Sequence, residues 1–177
     1  MSIRNDLLER QFKDGLPSET EADTIKGIVY VCADSAELAP TEIESIVLTT
    51  GDKAASLLKL DVFARIPEGT LYIYRNPIFT GGTPSQCMNL NDNIIADPDK
   101  NLSPISNPVV TDNGDAVYAR NFIGQDNGGN VGDVLDAEIK DLYILRPNTS
   151  YLVQFENTST ATSKVSLQIK YRDREEL

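Results

Sequence analysis

Between Lys164 and Tyr171 the chain alternates without a break: Val165, Leu167, Ile169 and Tyr171 fall on one side, Lys164, Ser166, Gln168 and Lys170 on the other. Successive strand residues point to opposite faces, so the segment predicts an antiparallel strand with one buried and one wet face. The same texture, rich in β-branched and aromatic residues, predicts further strands at 25–32, 43–50, 57–65, 70–75, 108–111, 115–123, 137–145 and 149–157. Within 57–65 the pattern assigns Leu58, Leu60, Val62 and Ala64 to one face and Lys59, Asp61, Phe63 and Arg65 to the other. Turn residues separate the runs at Gly51-Asp52, Pro67-Glu68-Gly69, Asp112-Asn113-Gly114, Pro147-Asn148 and the Ser/Thr stretch 158–162. The Pro67–Gly69 turn predicts a hairpin between its flanking strands, and the Asn113-Gly114 step predicts a second. Roughly eight to ten short strands, with no helical period after the first residues, predict an all-β fold: an antiparallel β-sandwich or jelly roll.

Three stretches depart from this texture. Residues 80–104 gather Gly81-Gly82, Pro84, Asn89, Asn91-Asp92-Asn93, Pro98, Asn101 and Pro104, leaving only Cys87–Leu90 and Ile94-Ile95 as short pieces of order. Gly124 to Asn130 form a second polar loop. Long excursions from a compact domain are usually functional or cover something. At the start of the chain Ile3, Leu7, Leu8 and Phe12 recur at near-helical spacing, with Ser2 or Asn5 as cap and Gly15 and Pro17 as stop. A helix this short is not stable alone in water, so it is expected to pack on its own domain, a sister subunit or another protein. The chain thus divides into an N-terminal helical arm with its linker, 1–24, and a β-domain, 25–177.

Charge narrows the partners. Among 177 residues, 16 Lys+Arg stand against 27 Asp+Glu, a formal net charge of -11. A nucleic-acid binder carries a basic face that displaces counterions from phosphates. Here the basic residues are scattered, and the one close run, Lys170, Arg172 and Arg174, is followed by Glu175 and Glu176. No nucleic-acid partner is expected. Apolar runs such as Leu142 to Leu145 are far shorter than a membrane span, and charges interrupt the first ten residues where a signal peptide would be apolar, so no membrane partner is expected either. Sequons at Asn101, Asn148 and Asn157 read as chance in a chain rich in Asn, Ser and Thr.

Chemistry-bearing patterns are sparse. The chain has no histidine, which removes the commonest general base and the triads built on it. Asp133, Asp136, Glu138 and Asp141 cluster as a glycosidase pair would require, but charges at a strand start ordinarily face water or protect an edge. Asp97-Pro98-Asp99-Lys100-Asn101 opens like a calcium loop, then places Leu102 and Pro108 where an EF-hand needs Gly and Glu. An irregular calcium site at Asp97, Asp99 and Asn101, or at Asp126, Asn127 and Asp133, competes with the turn-forming role of Asp and Asn. Cys32 and Cys87 lack metal-site spacing and sit among small or apolar neighbours, so buried free thiols are favoured, with a single disulfide left open. Tyr72 and Tyr74 share a strand face, with Phe63 on a nearby strand and Tyr118 and Tyr143 elsewhere. A sugar platform is one reading of them and sheet packing the preferred one. No enzyme and no cofactor are expected.

The C-terminal third, from Asp141-Leu142-Tyr143-Ile144-Leu145 through Arg146-Pro147-Asn148-Thr149 to Tyr151-Leu152-Val153-Gln154-Phe155 and the Asn157-Thr158-Ser159 turn, resembles a group of tailed-bacteriophage virion proteins. Upstream, Leu71 to Pro77, the Gly81-Gly82 loop, Asn89 to Asn93 and Asn107 to Gly114 extend the likeness over about 43–173. The resemblance implies a β-sandwich or jelly-roll head decoration protein that binds the outer capsid shell, made in the host cytoplasm and residing on the virion surface. It implies a major capsid protein or other virion protein as partner, and a homotrimer. The arm residues Ile3, Leu7, Leu8 and Phe12 are the candidate shell contact. The alternative is a carbohydrate- or receptor-binding module of a phage fibre or tail.

Overall fold

The computed structural model describes residues 29–64, 68–91, 100–123 and 143–173. Its strands form two antiparallel sheets and a separate ribbon. The first sheet has the order β11 (Tyr143–Leu145), β3 (Ala55–Ala64), β13 (Ser163–Arg172), β1 (Val29–Leu38) and β7 (Cys87–Asn89). The second has β10 (Asp115–Ile123), β4 (Glu68–Arg75), β12 (Ser150–Glu156), β2 (Ile43–Thr50), β8 (Leu102–Ser106) and β6 (Thr83–Pro84). β5 (Ile78–Thr80) and β9 (Val109–Asp112) make the ribbon.

One apolar core joins the two sheets, giving a sandwich-like all-β fold. Val165, Leu167, Ile169 and Tyr171 of β13 are buried in it as their alternation predicts, with Leu60 and Val62 of β3 and Tyr30 and Cys32 of β1. The second sheet contributes Ile46 and Leu48, Leu71 and Ile73, and Tyr151, Val153 and Phe155. Each fully buried aliphatic or aromatic side chain of this kind contributes about 1.5–3 kcal/mol relative to its exposed state.

β1 to β4 alternate between the sheets, and so do β10 to β13, with β1, β3, β11 and β13 in the first sheet and β2, β4, β10 and β12 in the second, where β4 and β10 pair. Neither expected hairpin therefore forms. β3 ends at Ala64 and β4 begins at Glu68, so Glu68 and Gly69 of the expected turn are already strand, and the two strands belong to different sheets. β9 and β10 flank Asn113-Gly114 without pairing with each other; β9 pairs with β5, and β10 with β4. The Asp112–Gly114 step is a bend along one line of pairing. Asp112 Oδ1 accepts the Gly114 N–H at 2.9 Å, and Gly114 adopts φ +78°. A Cβ there would collide with the Arg75 and Asn76 carbonyl oxygens. Gly114→Ala is expected to lower the unfolding free energy by about 2 kcal/mol, through left-handed strain plus displaced backbone, as read from urea denaturation.

Two further differences have local causes. The β3 face holds Leu57, Leu60, Val62 and Ala64 in the core, with Leu58 only half-buried. The register against β13 slips between Lys170 and Tyr171, and this bulge skips Leu58 and restores the alternation after it. β8 forms inside the stretch read as a loop. Its Pro104 is buried, sits opposite Leu48, and lends its carbonyl to the Ser85 N–H at 3.0 Å, so the missing proline donor is tolerated near the sheet edge.

Candidate functional site

The expected contact residues Ile3, Leu7, Leu8 and Phe12, and with them the helical arm, lie outside the described residues. So do the carboxylates Asp133, Asp136, Glu138 and Asp141, the calcium candidates Asp97, Asp99, Asp126 and Asn127, and the loop 124–130. No group of three or more His, Cys, Asp or Glu side chains able to hold a metal ion occurs among the described residues, and no helix of those residues is long and apolar enough to cross a membrane.

Asn101, the described member of the first calcium set, has a different task. Its Oδ1 accepts the Lys53 N–H at 3.0 Å, and its Nδ2 donates to the carbonyls of Lys53 at 2.9 Å and Asp173 at 3.0 Å. The carboxylate of Asp173, itself 1% exposed, accepts the Asn101 and Leu102 N–H groups at 2.9 and 2.7 Å. Together they tie the β2–β3 turn and the start of β8 to the end of β13. Both groups are committed to backbone partners, so this cluster is structural. Asn157 does similar work at the other end, where its side chain bonds Leu38, Ser159 and Ala161. Of the three sequon asparagines only Asn148 is exposed.

The cysteines do not remain thiols. Cys32 of β1 and Cys87 of β7 are joined by a disulfide across a directly paired position of the first sheet. Neighbour polarity favoured free thiols because it carries no information on the 55-residue separation that folding closes.

The aromatic set is divided. Tyr72 and Tyr74 stack on one another with ring centroids 5.7 Å apart, whereas Phe63 belongs to the other sheet. Burial first, and then the neighbouring Tyr72, raises the Tyr74 phenol above its ordinary range. Rings that spend a face on each other make sheet packing rather than an open platform, as the preferred reading had it. The basic run is divided as well: Arg172 is buried while Lys170 is half-buried on the outward side of β13.

The ribbon is the surface that sequence pattern did not single out. On β5 and β9, Ile78, Thr80 and Val109 share one face, since Thr80 and Val109 are directly paired. Ile78 is 60% and Val109 63% exposed, while Phe79 and Val110 on the opposite face are half-buried. The chain reaches this ribbon from β4 and continues to β6 at the opposite side of the same sheet. At its tip Gly82 adopts φ +89° and lies against Ile105, Ser106 and Pro108. Val47 and Leu152, outward-facing and in the same cross-strand row as Ile105, are fully buried. Gly82, just past β5, thus lies close against β8, and the ribbon presents aliphatic side chains to solvent. Met88 and Leu90 add exposed apolar surface at the β7 edge.

No protein-family model matches this chain, and no curated protein matches it.

Proposed function

We propose that this chain is a non-catalytic structural protein of a virion, a head decoration protein that docks on the outer capsid shell and bridges neighbouring capsid subunits. The observation that carries the reading is the ribbon: a two-stranded element that leaves Ile78 and Val109 exposed. Aliphatic residues held out together on ordered backbone are the kind of surface a partner covers. The strand order adds support. β1-β13-β3-β11 in one sheet and β2-β12-β4-β10 in the other is the order of an eight-stranded jelly roll, an architecture used by capsid and lectin domains. Fold alone does not assign function, so the proposal rests on the surface and on the resemblance to phage virion proteins.

Energetics argue for several contacts at once. Covering Ile78 and Val109 would contribute about 3–6 kcal/mol at most, which is comparable to or below the about 4–15 kcal/mol lost on association. A trimer presenting three ribbons and three N-terminal arms would overcome this by avidity. Light scattering on a sizing column is expected to give the mass of a trimer at micromolar concentration. Removing residues 1–14 is expected to abolish binding to capsid shells while circular dichroism still reports the folded β-domain. A monomer, or undiminished capsid binding by the truncated chain, would overturn the corresponding part of the reading.

A further inference from the structure

The side of the sandwich between β1 and β2 carries two acids on its inward faces: Glu44 is buried, and Asp34 is half-buried with its Oδ1 accepting the Ser35 N–H at 2.8 Å. Asp34 follows Cys32 on the inward face of β1, and Glu44 precedes Ile46 on the inward face of β2. Glu44 is 1% exposed. One oxygen of each, Asp34 Oδ2 and Glu44 Oε1, is buried without a donor, and Asp34 acts on Glu44 both as a like charge and as a hydrogen-bonding side chain. Two carboxylates cannot donate to one another. A single proton between them turns two orphan acceptors into one charge-assisted hydrogen bond. Such a bond relieves the desolvation of the two buried oxygens.

The position gives the pair a mechanical role. The chain crosses from the second sheet to the first between β6 and β7 and closes this side. On the second sheet its coverage ends at Ser106, which is opposite Ile46, and the Ser85 and Ser106 hydroxyls bond at 2.6 Å. On the first sheet it ends at Cys87, opposite Cys32 and disulfide-bonded to it. Asp34 and Glu44 are the next inward residues beyond those two end points. We propose that Asp34 and Glu44 share one proton across the sandwich interior, and that this proton latches the β6–β7 crossing so that the seam loosens once the proton is lost.

Among the described residues, the paired strands set the surroundings of the pair. The residues beside it on the neighbouring strands are Leu167 of β13 and Phe155 of β12, with Val165 and Ser106 next along, and none of these titrates. Cys87 is held in the disulfide, and Glu42, two residues back along the chain, is exposed and accepts the Ala39 N–H. Burial, and after it the Asp34 charge and hydrogen bond, raises Glu44 from 4.5 to about 7. The sign follows from which state holds the proton. Below about pH 4.5 both the folded and the unfolded chain carry it; between 4.5 and 7 only the folded chain does. The stabilisation is therefore complete at low pH, declines through that window, and is gone above neutrality, when two like charges face each other in the interior.

Carboxyl-carbon NMR titration of the full chain tests the first half: Glu44 should titrate near neutrality, and Asp34→Asn should bring its midpoint down. Amide hydrogen exchange at 83–89, corrected for intrinsic rates, tests the second. Opening of the seam is expected to be about tenfold greater at pH 8 than at pH 6, and Glu44→Gln, which keeps a neutral donor toward Asp34, is expected to abolish that difference. Should Glu44→Gln not fold, the same comparison in Asp34→Asn serves, with a reduced pH response expected. Titration of Glu44 in the ordinary carboxylate range, a midpoint indifferent to Asp34→Asn, or equal protection at the two pH values would overturn the proposal.

Discussion

Replacing Asp173 with alanine is expected to remove about 4 kcal/mol of unfolding free energy, the largest single-residue effect anticipated in this chain. The carboxylate accepts two backbone N–H groups, from Asn101 and Leu102, at a site 1% exposed. A hydrogen bond to a charged group is worth about 1.5–3 kcal/mol, and a buried donor left without its acceptor adds its own desolvation cost. Asp173→Ala orphans both amides at once, in the segment that starts β8. Asp173→Asn keeps one acceptor oxygen but turns an amide NH₂ toward a second N–H donor, so it should recover only part of the loss. Urea denaturation of the two variants measures both. Asn101→Ala, which removes bonds to the Lys53 and Asp173 backbone, should be strongly non-additive with Asp173→Ala because the two residues serve one knot. A loss below about 1 kcal/mol for Asp173→Ala would mean that water replaces the carboxylate and that the knot is looser than its geometry implies.

The paired replacement Cys32→Ser and Cys87→Ser is expected to destabilise the protein by about 3 kcal/mol, with the fold retained. The bridge closes a separation of 55 residues, for which chain entropy in the unfolded state gives about 4 kcal/mol, and measured values commonly fall short of that limit. Retention follows from the core, which spans both sheets and to which β7 adds Cys87 at its margin. The damage should be local, because β7 is three residues long and pairs with β1 only at Tyr30 to Cys32. Hydrogen exchange in the serine variant should therefore accelerate most at 83–89. Reducing agent added to the wild-type chain should reproduce the same urea midpoint, whereas an unchanged midpoint would show that the bridge contributes nothing to the folded state's advantage.

The structure divides cleanly along what is local and what is not. Alternation in 164–171 was sufficient to place Val165, Leu167, Ile169 and Tyr171 in the core, because a strand's period of two is a property of its own backbone. The all-β class, the strands at 43–50, 115–123 and 149–157, and the packing role of Tyr72 and Tyr74 were legible for the same reason. Where a neighbouring strand intervened, the reading failed by a residue: the bulge opposite Lys170 and Tyr171 moved Leu57 into the place expected of Leu58. Partnering was not legible at all. Pro67–Gly69 and Asn113-Gly114 carry good turn chemistry, but whether a turn makes a hairpin or a crossing depends on which sheet can bury the next apolar face.

The candidate surfaces show the same limit. Ile78 and Val109 look like ordinary strand residues, and their exposure follows from a ribbon whose other face holds the half-buried Phe79 and Val110. Cys32 meets Cys87, and Asp34 meets Glu44, only because β1 is brought beside β7 and opposite β2. The sequence by itself determined the strand periods, the acidic surface and the absence of histidine chemistry, since these depend on residue type and spacing. Sheet assignment, the disulfide, the Asn101–Asp173 knot and the buried acid pair were decided by tertiary structure, because each is a meeting of residues that the chain order holds apart and only the common core brings together.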